Sequence, residues 1–194
     1  MIGKDLVIYL ASQSPRRREL LRQLGLDVAV LDVDVPEHRE PGEPAEDYVS
    51  RVAREKAGAG LMQVAAALNV LVIGVDIEVV LDDDVFGKPT DADDATRMLA
   101  RLSGKTHRVL SVVWCVNASR EEHAFSESSV TFAALASDDI ARYVATGEPF
   151  GKAGAYAIQG RAAAFVSRLD GSYSGVMGLP LHETAMLLRR FDLA

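Results

Sequence analysis

Three charged groups stand where a folding chain would not place them by default. The first is the run Ser12-Gln13-Ser14-Pro15-Arg16-Arg17-Arg18. Ser14 and Pro15 suit the N-cap and first position of a helix. Three arginines follow, in a turn where the helix dipole already presents positive charge. A bound polyanion reverses that penalty, because the free N–H groups of the turn and the guanidinium groups then converge on it. At about 100° per residue, Arg17 falls within the stripe of Leu20, Leu21 and Leu24, Arg16 flanks it and Arg18 diverges. Two readings stay open: a phosphate-binding turn, or a solvated basic one.

The second group is Lys56. On a helix from residue 45, Tyr48, Val49 and Val52 form an apolar stripe; Lys56 lies on it and Arg54 points away. Either its stem covers apolar surface while the ammonium reaches water, or the ammonium meets an anion. The third is Asp76, inside the run Val70-Leu71-Val72-Ile73-Gly74-Val75-Asp76-Ile77-Glu78-Val79-Val80-Leu81. Strand alternation puts Asp76 and Glu78 on one face, opposite Val75, Ile77 and Val79. A buried carboxylate requires a metal, a cation or water. Asp76 is therefore a metal ligand or general base, or the strand becomes solvated beyond Gly74. Glycine at 74 permits close backbone approach. Glu78 is the weaker candidate, a carboxylate near the turn Asp82-Asp83-Asp84.

Two further turns carry polar groups. Phe86-Gly87-Lys88-Pro89 sets Lys88 after a strand that a hairpin pairs with the Asp76 strand. The glycine-punctuated stretch 148–160 carries Lys152 and Gln159. The amide of Gln159 holds both a donor and an acceptor, which suits reading the edge of a base. Taken alone, each stretch reads as a turn.

Strands and helices in alternation must position these groups. Residues 6–11 read as a strand, followed by a helix over 15–24 closed by Gly25. A loop rich in Pro, Glu and Asp leads to a helix over 45–68, then to a strand over 70–81 with a return strand near Val85 and Phe86. Thr90 or Asp91 caps a helix to 102, closed by Gly104. Strands follow over 107–116 and 125–134, then a helix over 137–146 capped by Ser137. Short strands are expected over 154–158, 162–169 and 173–176, and Pro180 starts a final helix. This order predicts an α/β protein with a mixed sheet and no dividing linker.

The 194 residues, 48% hydrophobic and 25% charged, suffice for one domain or two closely packed lobes with a sizeable core. A net charge of −7 argues against nucleic acid as a partner, yet permits a small anionic substrate in a locally basic pocket. No apolar run approaches the roughly 20 residues that cross a bilayer, and no signal peptide is expected at the N-terminus. The single cysteine, Cys115, sits in an apolar run and reads as a buried thiol, which predicts a reducing, cytoplasmic setting. A P-loop enzyme is disfavoured, because GxxxxGK[ST] does not occur.

Together these stretches resemble the Maf family of nucleotide pyrophosphatases. The likeness is carried by Leu10-Ala11-Ser12-Gln13-Ser14-Pro15-Arg16-Arg17, Ala53-Arg54-Glu55-Lys56-Ala57, Gly74-Val75-Asp76, Gly87-Lys88-Pro89, Leu102-Ser103-Gly104-Lys105-Thr106-His107, the stretch 152–160 and Gly178-Leu179-Pro180-Leu181. These appear in the family's order over nearly the whole chain. The resemblance implies an ITPase-like α/β fold: a mixed, elongated sheet flanked by helices, with two lobes around a central cleft in a single Maf-like domain over 1–194. A homodimer is a frequent state in the family.

The implied reaction is hydrolysis of a nucleoside triphosphate between its α- and β-phosphates. Arg16-Arg17 after Ser-Pro and the stretch 152–160 resemble the branch acting on dTTP and UTP, with modified pyrimidine nucleotides as further substrates, rather than the 7-methyl-GTP branch. By position, the implied substrate-binding residues are Ser12, Ser14, Arg16, Arg17, Lys56, Lys88, Lys152 and Gln159. Asp76, Lys88 and Arg16 are the implied catalytic residues. Asp76 and Glu37 are the implied ligands of a divalent cation, Mg²⁺ or Mn²⁺. The chain departs from the family pattern in having Gly-Val-Asp-Ile for Gly-Ala-Asp-Thr, Glu78 for an apolar residue, Ser111 for Thr and Gly151 for a frequent Asp. Ile77 and Glu78 motivate an alternative, a nucleotide-binding regulator of cell division with little catalysis; the family has been linked to septum formation.

Overall fold

The computed structural model describes residues 6–193; the ends of the expected domain, 1–5 and 194, lie outside them. The chain opens with β1 (Val7–Leu10), α1 (Pro15–Gln23), β2 (Ala29–Val30) and α2 (Ala45–Gln63). It continues through β3 (Val70–Leu81), β4 (Asp84–Phe86), α3 (Ala92–Leu102), β5 (Thr106–Val116) and β6 (Glu121–Phe132). The last elements are α4 (Ser137–Val144), β7 (Val166–Asp170), α5 (Tyr173–Met177) and α6 (Leu181–Arg189). The strands hydrogen-bond in the order β2-β1-β3-β5-β6-β7, with β4 on β3. β1 runs parallel to β2 and β3, whereas β4 is antiparallel to β3 and β7 to β6. The mixed α/β class expected from the element order is the one observed.

Two compact units divide the chain. The first comprises, of the described residues, 6–76, 111–126 and 178–193. Its core gathers Leu10, Leu21, Val49, Val52, Ile73 and Leu187, all shielded from solvent. β1 and β3 align Leu10 with Ile73, and α2 lies directly on β3. A Cβ at Gly74 would stand 2.3 Å from the Ala53 carbonyl oxygen and 2.6 Å from the Ala57 nitrogen. The helix backbone occupies the space where any larger side chain would go, so the close approach anticipated at Gly74 is realised. Gly74→Ala should therefore force helix and strand apart and cost about 1–3 kcal/mol, read as a lower urea midpoint at unchanged slope. Gly58, on the same helix, faces nothing within 4 Å. Gly58→Ala should be neutral or slightly stabilising through helix propensity.

β5 brings Trp114 and Cys115 into this unit. The indole stacks on His123 at 4.5 Å between ring centroids. Its Nε1 donates to Ser50 Oγ at 3.2 Å, and the Arg54 guanidinium lies over its face. Cys115 is fully buried, and burial, aided by the charge of Glu122, pushes its thiol up to about 12.

The second unit comprises 77–110 and 127–177. Val79, Phe86, Leu99, Leu102, Phe132 and Tyr156 belong to its core. His107 is buried among them, with Nε2 hydrogen-bonded to the Tyr156 hydroxyl at 2.9 Å and its ring edge-on to Phe132. Burial pushes the imidazole down to about 4, so it is neutral near pH 7. Of the two caps proposed for α3, Asp91 is the one used: its Oδ1 accepts the Asp94 N–H at 2.8 Å.

Several element expectations need correction. α2 ends at Gln63 rather than 68, because residues 65–68 are exposed and offer no face to bury; packing, not propensity, sustains most helices. β6 starts at Glu121, earlier than its polar opening suggested, because a tight turn with the Asn117 N–H on the Arg120 carbonyl starts the pairing at once. Ser137 lies inside α4, whose N-cap is Ala136 with no side-chain bond. Its first turn is served instead by the charges of Asp138 and Asp139. No strand forms over 154–158, since Gly154 and Ala155 adopt φ of +67° and +59°. A 3₁₀ turn, Arg161–Phe165, occupies the start of the expected strand 162–169, leaving Val166–Asp170 as β7. The stretch 173–176 is helical because Ser172 Oγ accepts the Gly175 N–H at 3.0 Å, a helix-starting bond.

Candidate active site

The site in the first unit starts where β1 hands over to α1. Ser12 Oγ accepts the Ser14 N–H at 3.3 Å and Arg17 Nη1 at 3.0 Å. Ser14 is the N-cap residue, but its hydroxyl makes no capping bond, and no acidic residue lies in the first turn. The helix end thus keeps its positive character. Arg17 is buried with Leu20 and Leu21, as the helical spacing indicated, while Arg16 is half-buried and Arg18 exposed. From the far end of the chain, the Gly178 carbonyl accepts Arg17 Nε at 3.0 Å. Gly178 sits at φ +126°, a conformation that L side chains rarely adopt, so glycine is needed to offer that oxygen. Burial lowers the Arg17 pKa, and the charges of Asp76 and Glu37 oppose the shift. A guanidinium remains charged at any ordinary pH.

Lys56 comes from α2, Asp76 from β3 and Glu37 from the loop before α2. The Lys56 ammonium donates to Glu37 Oε1 at 2.6 Å and to Asp76 Oδ1 at 2.7 Å. Lys56 is 8% exposed and Asp76 4%. Of the two readings left open for Lys56, the bridge to anions is the one observed. Asp76 likewise does not become solvated beyond Gly74: it is buried, as is Glu78 on the same face. Asp76 Oδ2 is buried with no hydrogen-bond partner. Burial raises the Asp76 pKa, while Lys56 and then Arg17 pull it back. The close contact of helix and strand at Gly74 lets a lysine one turn along α2 reach a carboxylate two residues along β3.

Ser12, Ser14, Arg17, Glu37, Lys56 and Asp76 thus gather in the first unit, with Arg16 on the same helical turn. Lys88, Lys152 and Gln159 belong to the second. Lys88 is exposed after β4, and the Gly87 carbonyl before it accepts the Gly154 N–H at 3.1 Å. Lys152 is half-buried, with Nζ on the Phe150 carbonyl at 3.0 Å, and Gln159 is exposed. Sequence reasoning assigned no role to Gly178, which had appeared only as part of a motif. Its left-handed backbone and distant partner leave no local signal beyond the glycine itself. Among the described residues, no group of three or more His, Cys, Asp or Glu side chains could by itself hold a metal ion. No helix among them is long and apolar enough to cross a membrane.

Residues 7–191 match the family model described as Maf-like protein. A dTTP/UTP pyrophosphatase of Xanthomonas campestris pv. campestris is 56% identical over 187 residues, which cover 95% of this chain and 98% of that one. A dTTP/UTP pyrophosphatase of Cupriavidus metallidurans is 53% identical over 195 residues, covering 96% and 98%. A nucleoside triphosphate pyrophosphatase of Xylella fastidiosa is 54% identical over 187 residues, covering 96% and 99%. Among solved structures, the Staphylococcus aureus Ham1 protein matches at a TM-score of 0.48 and 13% identity over 95% of this chain and 97% of that one, too loose a likeness to carry any residue across. A family match through both units, with relatives above half identity along nearly their full length, places the chain in the Maf family.

Proposed function

We propose that this protein hydrolyses dTTP and UTP to the monophosphate and pyrophosphate, with the phosphates held by Arg16, Arg17, Lys56 and Lys88. The observation that carries the reading is the bridge Glu37–Lys56–Asp76, buried at Lys56 and Asp76 and partly exposed at Glu37, beside Arg17, in a chain 56% identical to a dTTP/UTP pyrophosphatase. A triphosphate supplies the missing anion for a helix start that carries arginines and no acids. Arg17 is preorganised for it by Ser12 and Gly178, so little ordering remains on binding.

The donor set fits a hard divalent cation such as Mg²⁺ or Mn²⁺. Asp76 Oδ2 is a buried carboxylate oxygen with no hydrogen-bond partner, and Glu37 meets Asp76 across one ammonium. Two carboxylates do not complete a shell, so substrate phosphates and water would supply the remaining oxygens. When bound, such an ion neutralises phosphate charge as a Lewis acid. Asp76 accepts a proton from the water whose oxygen bonds to the α-phosphorus. The bond from that phosphorus to the α–β bridging oxygen breaks, and pyrophosphate leaves with the electron pair. Lys56 keeps Asp76 ionised before the step, and Gln159 reads the pyrimidine edge. The proposed setting is the cytoplasm, in keeping with a lone, buried thiol.

Pyrophosphate release from dTTP, UTP, CTP, 7-methyl-GTP and ITP, with Mg²⁺ or Mn²⁺, tests this directly. The expected result is release from dTTP and UTP above the others. Tight dTTP binding with no release from any of them would replace the reading with that of a nucleotide-binding regulator.

A further inference from the structure

Gln159 is exposed, yet the backbone on both sides of it is tied to one carboxylate. Glu148 follows α4 and the turn closed by Gly147, which adopts φ +76°. Its Oε2 accepts the Arg161 N–H at 3.1 Å and its Oε1 the Ala162 N–H at 3.4 Å. These are the first amides of the 3₁₀ turn Arg161–Phe165, which has no capping bond from its own N-cap, Gly160. Oε1 also accepts the Tyr143 hydroxyl at 2.9 Å. That hydroxyl in turn accepts the Ala157 N–H at 3.2 Å. Tyr143 is 4% exposed, so the relay is anchored in the core. The chain is thereby held two residues before Gln159 and two residues after it. Between these points, the Gly160 N–H closes a turn onto the Ala157 carbonyl at 2.9 Å. A Cβ at Gly160 would stand 2.3 Å from Glu148 Oε1. The carboxylate lies where a side chain at 160 would be, so Gly160 is the complement of Glu148.

We propose that Glu148, acting through Tyr143 and the backbone of 157–162, is a positioning residue for base recognition, fixing the loop from which Gln159 reads the pyrimidine. An amide on a loose loop distinguishes donors from acceptors poorly, because it can follow either pattern. An amide on a pinned loop presents a fixed edge and leaves the wrong base with unpaired groups. The inference rests on the base-reading role proposed for Gln159. A glutamine at 148 would have one acceptor oxygen in place of two and would turn an NH₂ group toward an N–H donor.

The test is the ratio of kcat/KM for dTTP to that for dCTP, whose bases differ in the donor and acceptor at one edge. Glu148→Gln should lower this ratio about tenfold, the equivalent of one hydrogen bond. The loss should fall mainly in KM for dTTP, with kcat within about twofold. Gln159→Ala should lower the ratio comparably, and the double variant should fall no further than Gln159→Ala alone. Tyr143→Phe removes only the hydroxyl and should lower the ratio about threefold. It decides the matter if Glu148→Gln does not fold. A merely structural Glu148 would lower Tm and leave the ratio untouched. An unchanged ratio in Glu148→Gln or Tyr143→Phe beside a lowered one in Gln159→Ala overturns the positioning role and leaves the base reading standing. An unchanged ratio in Gln159→Ala overturns both.

Discussion

Asp76→Asn is expected to lower kcat for dTTP by about 10³-fold, the range lost with a positioned general base, while dTTP binding weakens by less than about tenfold. Asparagine keeps the shape and retains an oxygen for the Lys56 ammonium, so the fold and the phosphate clamp should survive. It removes the charge and the proton acceptor. Pyrophosphate release under single-turnover conditions, set beside calorimetric binding of dTTP, separates the two effects. Turnover at the wild-type rate in this variant would remove Asp76 from the chemistry. The pH profile provides an internal check. Burial raises the Asp76 pKa above its ordinary value of 3.8, so the acidic limb of kcat/KM in the wild type should lie above that value. The group must be ionised to take the proton, and activity should therefore climb as pH rises through the limb.

The second large effect is on stability. Lys56→Met should destabilise the protein by about 3–5 kcal/mol near pH 7, since it strands a buried carboxylate. The penalty has a ceiling. Asp76 can take up a proton instead of remaining charged, and doing so at pH 7 costs about 1.36 kcal/mol for each pH unit above its unfolded value. The sign of the pH dependence follows. The folded-state pKa of Asp76 already lies above the ordinary one in the wild type, and the variant raises it further, because burial then acts without the Lys56 counter-charge. The folded state then binds more protons, so stability is full below the unfolded pKa and is lost as pH rises through the folded one. Urea unfolding should show the deficit relative to wild type shrinking between pH 7 and pH 5. Replacing both partners, Lys56→Met with Asp76→Leu, should recover much of the stability and none of the activity. A pH-independent deficit would mean that lost packing of the lysine stem, not the stranded charge, dominates.

The parts of this architecture written in local pattern were readable from the sequence. The strand Val70–Leu81 was legible to its last residue, because a run that is apolar except at Gly74, Asp76 and Glu78 ends on an Asp-rich turn. The placement of Arg17 and Lys56 on buried stripes followed from helical spacing, and with it the suspicion that each needs an anion. The partner of Lys56 did not follow, because a lysine on an apolar stripe is equally well explained by a stem reaching water. Only the helix–strand contact at Gly74 decides between the two. Irregular backbone was the main loss. Residues 154–158 look like a strand until two successive left-handed residues bend them, and nothing in Ala155 announces a positive φ. The polar start of β6 and the apolar end of α2 failed for a shared reason, since pairing and burial overrode composition. Glu148 was invisible as a structural device because two of its three partners, the Arg161 and Ala162 N–H groups, are backbone amides, which leave no trace in residue type.

The chain has one tryptophan and one cysteine, adjacent on β5 in the first unit. Each is held in a setting that makes it informative: an indole in contact with an imidazole and a guanidinium, and a thiol fully shielded from solvent. Intrinsic indole fluorescence and the rate of thiol alkylation will therefore both report on the opening of this one unit, which holds Arg16, Arg17 and Lys56. Melting confined to the other unit would pass unseen by either probe, although that unit carries Gln159. Tyrosine absorbance draws on Tyr143, Tyr156 and Tyr173 in the second unit as well as on Tyr9 and Tyr48 in the first, so a change in it without a change in fluorescence marks the second unit. Agreement between the two signals would indicate that the halves melt as one cooperative body. If they diverge, a preparation could look intact by fluorescence and yet have lost the fold around Gln159, the residue proposed to read the base.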